Sequence, residues 1–151
     1  MRHRMAVALL ALGGLLLSVY LTMYHAGMVG ALACGGEGSC ERVQLGPWGQ
    51  LMGIPVAAYG IGGYLALLVI ALAGLQPRFE HSLAPTRLLA LVSGGGVAFT
   101  LYLKYLELFV IHAVCRWCVV SAVLIGAIFL ISLLSLRTRP SASPRPTDQP
   151  A

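Results

Sequence analysis

Four apolar runs, each near the length of a bilayer crossing, alternate with short polar stretches. They extend from about Met5 to His25, Ile54 to Leu75, Leu88 to Phe109 and Cys115 to Leu136. A helix needs about 20 predominantly apolar residues to cross roughly 30 Å of hydrocarbon. Inside lipid the backbone has no water to bond to, so each run is predicted as a helix that satisfies its own amides and carbonyls. Together they predict an all-α, integral membrane four-helix bundle over residues 1–139. The longest polar segment, Ala26 to Gly53, is one larger extracytoplasmic loop and the only extramembrane piece big enough to carry a site. Within it, Pro47-Trp48-Gly49-Gln50-Leu51-Met52 reads as a short interfacial helix. Proline suits a first helical turn, and Trp48, Leu51 and Met52 would face the membrane surface. Trp48 is then either an interfacial anchor or part of a lid over a lipophilic ligand. Gln76–Thr86, with Pro77 and Pro85, is a short connection, and Ile111–Val114 is a tight turn that makes the third and fourth spans antiparallel neighbours. Residues 140–151 are rich in proline and serine without apolar periodicity and predict a disordered cytoplasmic tail.

Composition agrees with the pattern. The 151 residues are 58% hydrophobic and only 10% charged, against roughly 25% charged in a soluble domain. Gly60, Gly62 and Gly63 in the second run, and Gly94, Gly95 and Gly96 in the third, are expected to let helices approach closely. The cations set an orientation. Arg2 and Arg4 precede the first run, Arg78 and Arg87 separate the second from the third, and Arg137, Arg139 and Arg145 follow the fourth. The large loop holds only Arg42 against Glu37 and Glu41. By the positive-inside rule both termini face the cytoplasm of an inner or plasma membrane, and the cysteines face the other side, an oxidising compartment in a bacterium. The net charge of +5 is an orientation signal, with membrane lipid as the surroundings. No basic-aromatic patch suited to nucleic acid is present. The opening Met-Arg-His-Arg before an apolar run also fits a signal peptide, and Ala31-Leu32-Ala33-Cys34 approximates a lipoprotein cleavage box. The run is long enough to span, and the leucine sits one place off for that box, so an uncleaved first span is expected.

Candidate chemistry lies in the four cysteines. Cys115-Arg116-Trp117-Cys118 opens the fourth run, and Cys34 and Cys40 flank Gly-Gly-Glu-Gly-Ser in the loop. In a CxxC at a helix start both sulfurs share a face and are close enough to bond. The helix dipole and Arg116 are expected to favour the thiolate, the form that attacks disulfides and quinones. The glycine-rich linker lets the loop pair swing and exchange with a soluble partner. Two static disulfides fit the same spacing. A four-thiolate zinc site is disfavoured by the five-residue gap and the membrane edge, and c-type haem attachment is excluded because Val119, not histidine, follows Cys118. No metal is expected. Lys104 and Glu107, three apart, either pair and snorkel or move protons. His112 is a shuttle candidate or an ordinary loop histidine. Tyr59, Tyr64, Tyr102 and Tyr105 are packing residues or hydrogen-bond donors to a bound carbonyl.

The ordered set Cys40-Glu41-Arg42-Val43, Pro47-Trp48-Gly49, Gly53-Ile54-Pro55, Tyr59-Gly60, Tyr64, Tyr102 to Val110 and Cys115-Arg116-Trp117-Cys118 resembles the vitamin K epoxide reductase family, over about Leu10 to Leu134. The resemblance implies a quinone-dependent thiol oxidoreductase. In its relay Cys34 meets a separate thioredoxin-fold, DsbA-like periplasmic partner, Cys40 meets Cys115, and Cys118 passes electrons to a quinone (ubiquinone, menaquinone or vitamin K). The implied quinone pocket lies under Trp48 and beside Cys118, with Leu51, Val56, Tyr59 and Ala122 as further wall residues. Two departures stand out. Gly46 occupies a place where the family commonly has serine, and Ser121-Ala122 replaces a more polar stretch of the animal enzyme, which favours a plain quinone over an epoxide.

Overall fold

Each apolar run is a helix in the computed structural model of the protein, which describes residues 2–30, 34, 38–79 and 82–138. The elements are α1 (Arg2–His25), α2 (Ser39–Leu45), two-residue strands β1 (Gln50–Leu51) and β2 (Ile54–Pro55), then α3 (Val56–Ala73), α4 (Ala84–Leu106) and α5 (Arg116–Arg137). Four of the helices, α4 being counted on to Ile111, are long and apolar enough to cross a membrane, and the chain is a multi-pass membrane protein. The expected tail, with Arg139 and Arg145, lies outside the described residues, as do Glu37 and the Ala31-Leu32-Ala33 of the cleavage-box pattern.

The helices form a closed bundle. α1 packs on α3 and α5, and α4 packs on the same two. Val7, Ala11, Tyr64, Leu67, Leu89 and Ile128 meet in the central core. Leu9, Leu16, Leu91, Leu101, Val123 and Leu130 are exposed on the outer faces, which makes a lipid-facing surface apolar on both sides of each helix. Gly14 is a point of close approach between α1 and α3, because a Cβ there would occupy the Tyr64 ring. Of the six glycines expected to permit such approach, Gly60 abuts Ser18, Gly94 abuts Phe129 and Gly96 abuts Ile125. A Cβ on Gly62, Gly63 or Gly95 would meet nothing within 4 Å.

Prolines move the helix starts. α4 begins at Ala84, four residues before the expected span, because Pro85 fits a first turn where no intrahelical N–H bond is required. α3 begins only after Pro55. The expected short helix over Pro47–Met52 is corrected. Only Pro47–Gly49 is helical, as a single 3-10 turn, and the chain then enters the β1–β2 hairpin. Met52 (φ 55°) and Gly53 (φ 79°) both take positive φ at the hairpin tip, the condition for a type I′ connection, whose twist matches the paired strands. The helical piece of the loop is α2, upstream of the expected place.

One end of the bundle is closed by Arg4. Its guanidinium is 4% exposed and donates to the carbonyl of Gly74, to those of Phe79 (3.2 Å) and Ser82 (3.2 Å), and to Thr86 Oγ1 (3.5 Å). A cation at the end of α3 meets carbonyls that no longer have intrahelical donors. Residue 4 thereby ties the first helix to the α3–α4 connection. The cysteines occupy the opposite end.

Candidate functional site

Chain reversal between α4 and α5 delivers the CxxC pair. α4 ends in a π-helical turn, Glu107–Ile111, and His112 follows in the left-handed region at φ 52°. The Ala113 amide donates back to the Glu107 carbonyl at 3.2 Å. Three residues later Cys115 caps α5, and its sulfur accepts the Cys118 N–H at 3.4 Å. A sulfur in that position replaces one of the acceptors that the first helical turn lacks. Cys115 is fully buried and Cys118 is half-buried; neither is in a disulfide.

On the loop side, Cys34 and Cys40 are bonded to each other, with Cα atoms 6.2 Å apart. Cys40 sits in the first turn of α2 and is buried against the same apolar cluster as Cys115, formed with Leu21, Tyr24, Val43 and Ala113. Cys34 and Cys118 pack on the edge of that cluster. The structure therefore brings all four cysteines to one end, as one disulfide and one dithiol. Tyr20 meets the Trp117 ring edge-on at 5.9 Å and flanks the pair.

Electrostatics separate the two thiols of the CxxC. Donation from the Cys118 thiol, aided by the Cys118 amide and the Gln44 side chain, holds Cys115 down to about 7 in spite of its burial and of the Glu107 charge. Arg116, expected to help, is exposed. Thiolate character on the residue that caps a helix is the outcome the dipole favours.

Beside the dithiol, a cavity of about 180 Å³ opens between α1, α3, α4 and α5. Cys118 reaches it, and Trp48, Val56 and Tyr59 line it. Leu51 and Ala122 do not line it. Leu51 stands 42% exposed on β1, where its carbonyl accepts the Tyr59 hydroxyl at 3.1 Å. On α5 it is Ser121, not Ala122, that faces the cavity, its hydroxyl paired with Tyr64 Oη at 2.9 Å. Tyr102 and Tyr105 are exposed on the outer face of α4, so Tyr59 and Tyr64 are the tyrosines at the cavity. His112 is exposed.

Lys104 and Glu107 pair at 2.6 Å, with Glu107 only 3% exposed, and both line the cavity. An ion pair with one partner buried carries a desolvation cost, and here it puts an ammonium group on the wall of an otherwise apolar chamber. Val92, Phe99 and Leu103 supply apolar wall on the same helix. Apolar walls with a sulfur and an ammonium group at one edge suit a ligand that needs both an apolar slot and a polar edge. Among the described residues no group of three or more His, Cys, Asp or Glu is placed to hold a metal ion.

Gln44 is the contact that the sequence did not disclose. Its amide lies 3.6 Å from Cys118 Sγ and 4.0 Å from Cys115 Sγ. His25 Nδ1 meets the Gln44 carbonyl at 3.0 Å, and Gln50 Nε2 meets His25 Nε2 at 2.8 Å. The signal that would have found it is the spacing of four between Cys40 and Gln44, legible only once 39–45 is taken as a helix. The family model described as the vitamin K epoxide reductase family matches residues 5–133, which include all four cysteines and most of each long helix.

Proposed function

The chain belongs to the vitamin K epoxide reductase family, whose members are quinone-linked thiol oxidoreductases, and from that premise we propose that it oxidises a thioredoxin-fold partner and passes the electrons to a membrane quinone. The observation that carries this reading is the coexistence, in one buried cluster, of a loop disulfide and a CxxC dithiol whose Cys118 opens onto an apolar cavity. A structural staple would need neither the second, unbonded pair nor the chamber beside it.

In the proposed cycle the partner's dithiol reduces the loop disulfide at Cys34, and the partner leaves oxidised. Cys40 then attacks the Cys115–Cys118 disulfide at Cys115, and Cys34 resolves the mixed bond, restoring Cys34–Cys40 and leaving the CxxC as a dithiol. A bound quinone supplies a two-electron, two-proton acceptor. Cys115 and Cys118 lose those electrons by forming their S–S bond. Cys115, low in pKa, stands as the thiolate that closes the S–S bond, and Cys118, the sulfur at the cavity, keeps its proton until its electrons pass to the acceptor. Val56 and Trp48 bind the apolar ring, and the Lys104 ammonium, oriented by Glu107, holds a proton at Nζ on the cavity wall. The arginines at the Arg4 end support, by the positive-inside rule, an orientation with both termini cytoplasmic and the sulfurs outside.

The test uses the purified protein with a reduced thioredoxin-fold partner and a soluble quinone, following quinone absorbance. Turnover in the wild type and none in Cys118→Ala is the expected result. A Cys40–Cys115 bond trapped in Cys118→Ser is expected from the relay; a Cys34–Cys115 bond in its place would reverse the two loop assignments. No turnover with any quinone would leave the cysteines as structural.

A further inference from the structure

We propose that Gln44 couples the two cysteine pairs, so that the reduction equilibrium of Cys115–Cys118 depends on whether Cys34–Cys40 is closed. This inference rests on the geometry of the two pairs and does not require the quinone chemistry proposed above.

Cys40 and Gln44 stand four apart on α2, on one face of a helix of seven residues. The first of them is fixed by the loop disulfide, and the second donates to both CxxC sulfurs. Gln44 is 6% exposed, so its amide has little water to turn to, and a buried amide without an acceptor is costly. The thiolate of a reduced CxxC is a strong acceptor, whereas the sulfurs of a disulfide are weak ones. The amide therefore favours the dithiol state over the disulfide state.

That preference holds only while α2 stays in place. So short a helix is not stable on its own. Besides the burial of Cys40 and Val43 in the apolar cluster, the disulfide at Cys40, His25 against the Gln44 carbonyl, and Gly49 tucked under that same carbonyl, where any Cβ would collide, hold it. Opening Cys34–Cys40 removes the covalent tie and loosens α2, so that the amide can withdraw. A closed loop then makes the CxxC easier to reduce, and an open loop makes it harder. By linkage the effect is reciprocal: a reduced CxxC favours a closed loop. Gln44 touches the reacting sulfurs and is in that sense a catalytic residue.

The experiment needs no quinone. The purified protein in detergent is equilibrated with mixtures of reduced and oxidised dithiothreitol, and the oxidation state of Cys115–Cys118 is read by alkylation and mass. At each balance point two electrons and two protons pass between dithiothreitol and the pair. In wild type, replacing the loop disulfide by Cys34→Ala/Cys40→Ala is expected to shift the CxxC equilibrium about tenfold toward the disulfide, the scale of one hydrogen bond to a charged group. In a Gln44→Met background the same replacement should shift nothing. Gln44→Glu, of the same length but with only acceptors, should push the equilibrium further toward the disulfide than Gln44→Met does, and raise the thiolate midpoint of Cys115 read by ultraviolet absorbance. A purely packing role predicts equal behaviour of Met and Glu. Equal loop dependence in wild type and Gln44→Met would overturn the proposal. Circular dichroism of each variant checks that the bundle has formed. Should the coupling appear while no quinone is ever reduced, the inference stands and the proposed function falls.

Discussion

The two ends of this bundle solve opposite problems. At the Arg4 end one buried guanidinium collects three carbonyls and a hydroxyl and locks α1 to the α3–α4 connection. At the sulfur end the backbone takes less regular paths: a π-helical turn, left-handed His112 and Met52, and a helix of seven residues. Irregular backbone at membrane depth is tolerated where it lines a cavity or is buried in protein, and π-turns concentrate at functional sites. The comparison shows where this small protein concentrates order and where it retains freedom to rearrange bonds.

Several substitutions would sharpen or break that contrast, and the largest effect belongs to the sulfur end. Cys118→Ala should abolish quinone reduction while leaving thermal unfolding in detergent nearly unchanged. If it unfolds the protein, the dithiol is a structural element after all. Next is the ion pair. Lys104→Met strands the buried Glu107 carboxylate and should destabilise the bundle by about 3–5 kcal/mol. The double variant Lys104→Met/Glu107→Gln should recover most of that loss in denaturation midpoint without recovering turnover. A double variant with normal turnover would remove the pair from the chemistry.

At the other end, Arg4→Met leaves buried carbonyls without donors, at about 1–3 kcal/mol for a group so stranded. Its thermal midpoint should drop while activity per folded molecule persists, the reverse of Cys118→Ala. The pH response is smaller. The Cys115 thiolate should appear with a midpoint of about 7, so thiolate absorbance is lost as pH falls through that value and is complete above it. Cys118→Ala removes the thiol that is the main donor to Cys115 and should move the midpoint up. A midpoint that stays put would mean that the helix terminus alone sets the value. Smallest of all, Trp48→Ala should raise KM for quinone a few-fold with kcat preserved, since the ring is still 48% exposed and covers only part of the chamber.

How much of this was legible in the sequence differs between the same two ends. The four spans were readable to within a few residues because hydrocarbon thickness imposes their length. Proline accounts for the shifts, since Pro85 could begin a helix that hydropathy alone would start at Leu88. The cysteines were readable as chemistry because a CxxC at a span mouth has few other uses. The loop was not. Pro47, Trp48, Leu51 and Met52 have helical composition, yet Met52 and Gly53 turn back into a hairpin whose pairing was invisible without its partner strand. Ser39–Leu45 was passed over because glycines precede it and its polar residues mask the Cys40–Val43–Gln44 stripe. Arg4 read as an orientation charge, and only the fold reveals what it grips. The cavity needs four helices at once, so which residues of each motif line it, Ser121 rather than Ala122 on α5, could not be read from the chain alone.

In the proposed orientation, Cys34 and Cys40 leave the ribosome right after the first span, whereas Cys115 and Cys118 follow only when the last one is made. At roughly 5–20 residues per second that interval lasts several seconds. The nascent loop thus meets whatever oxidants already operate outside the membrane before its own electron acceptor exists.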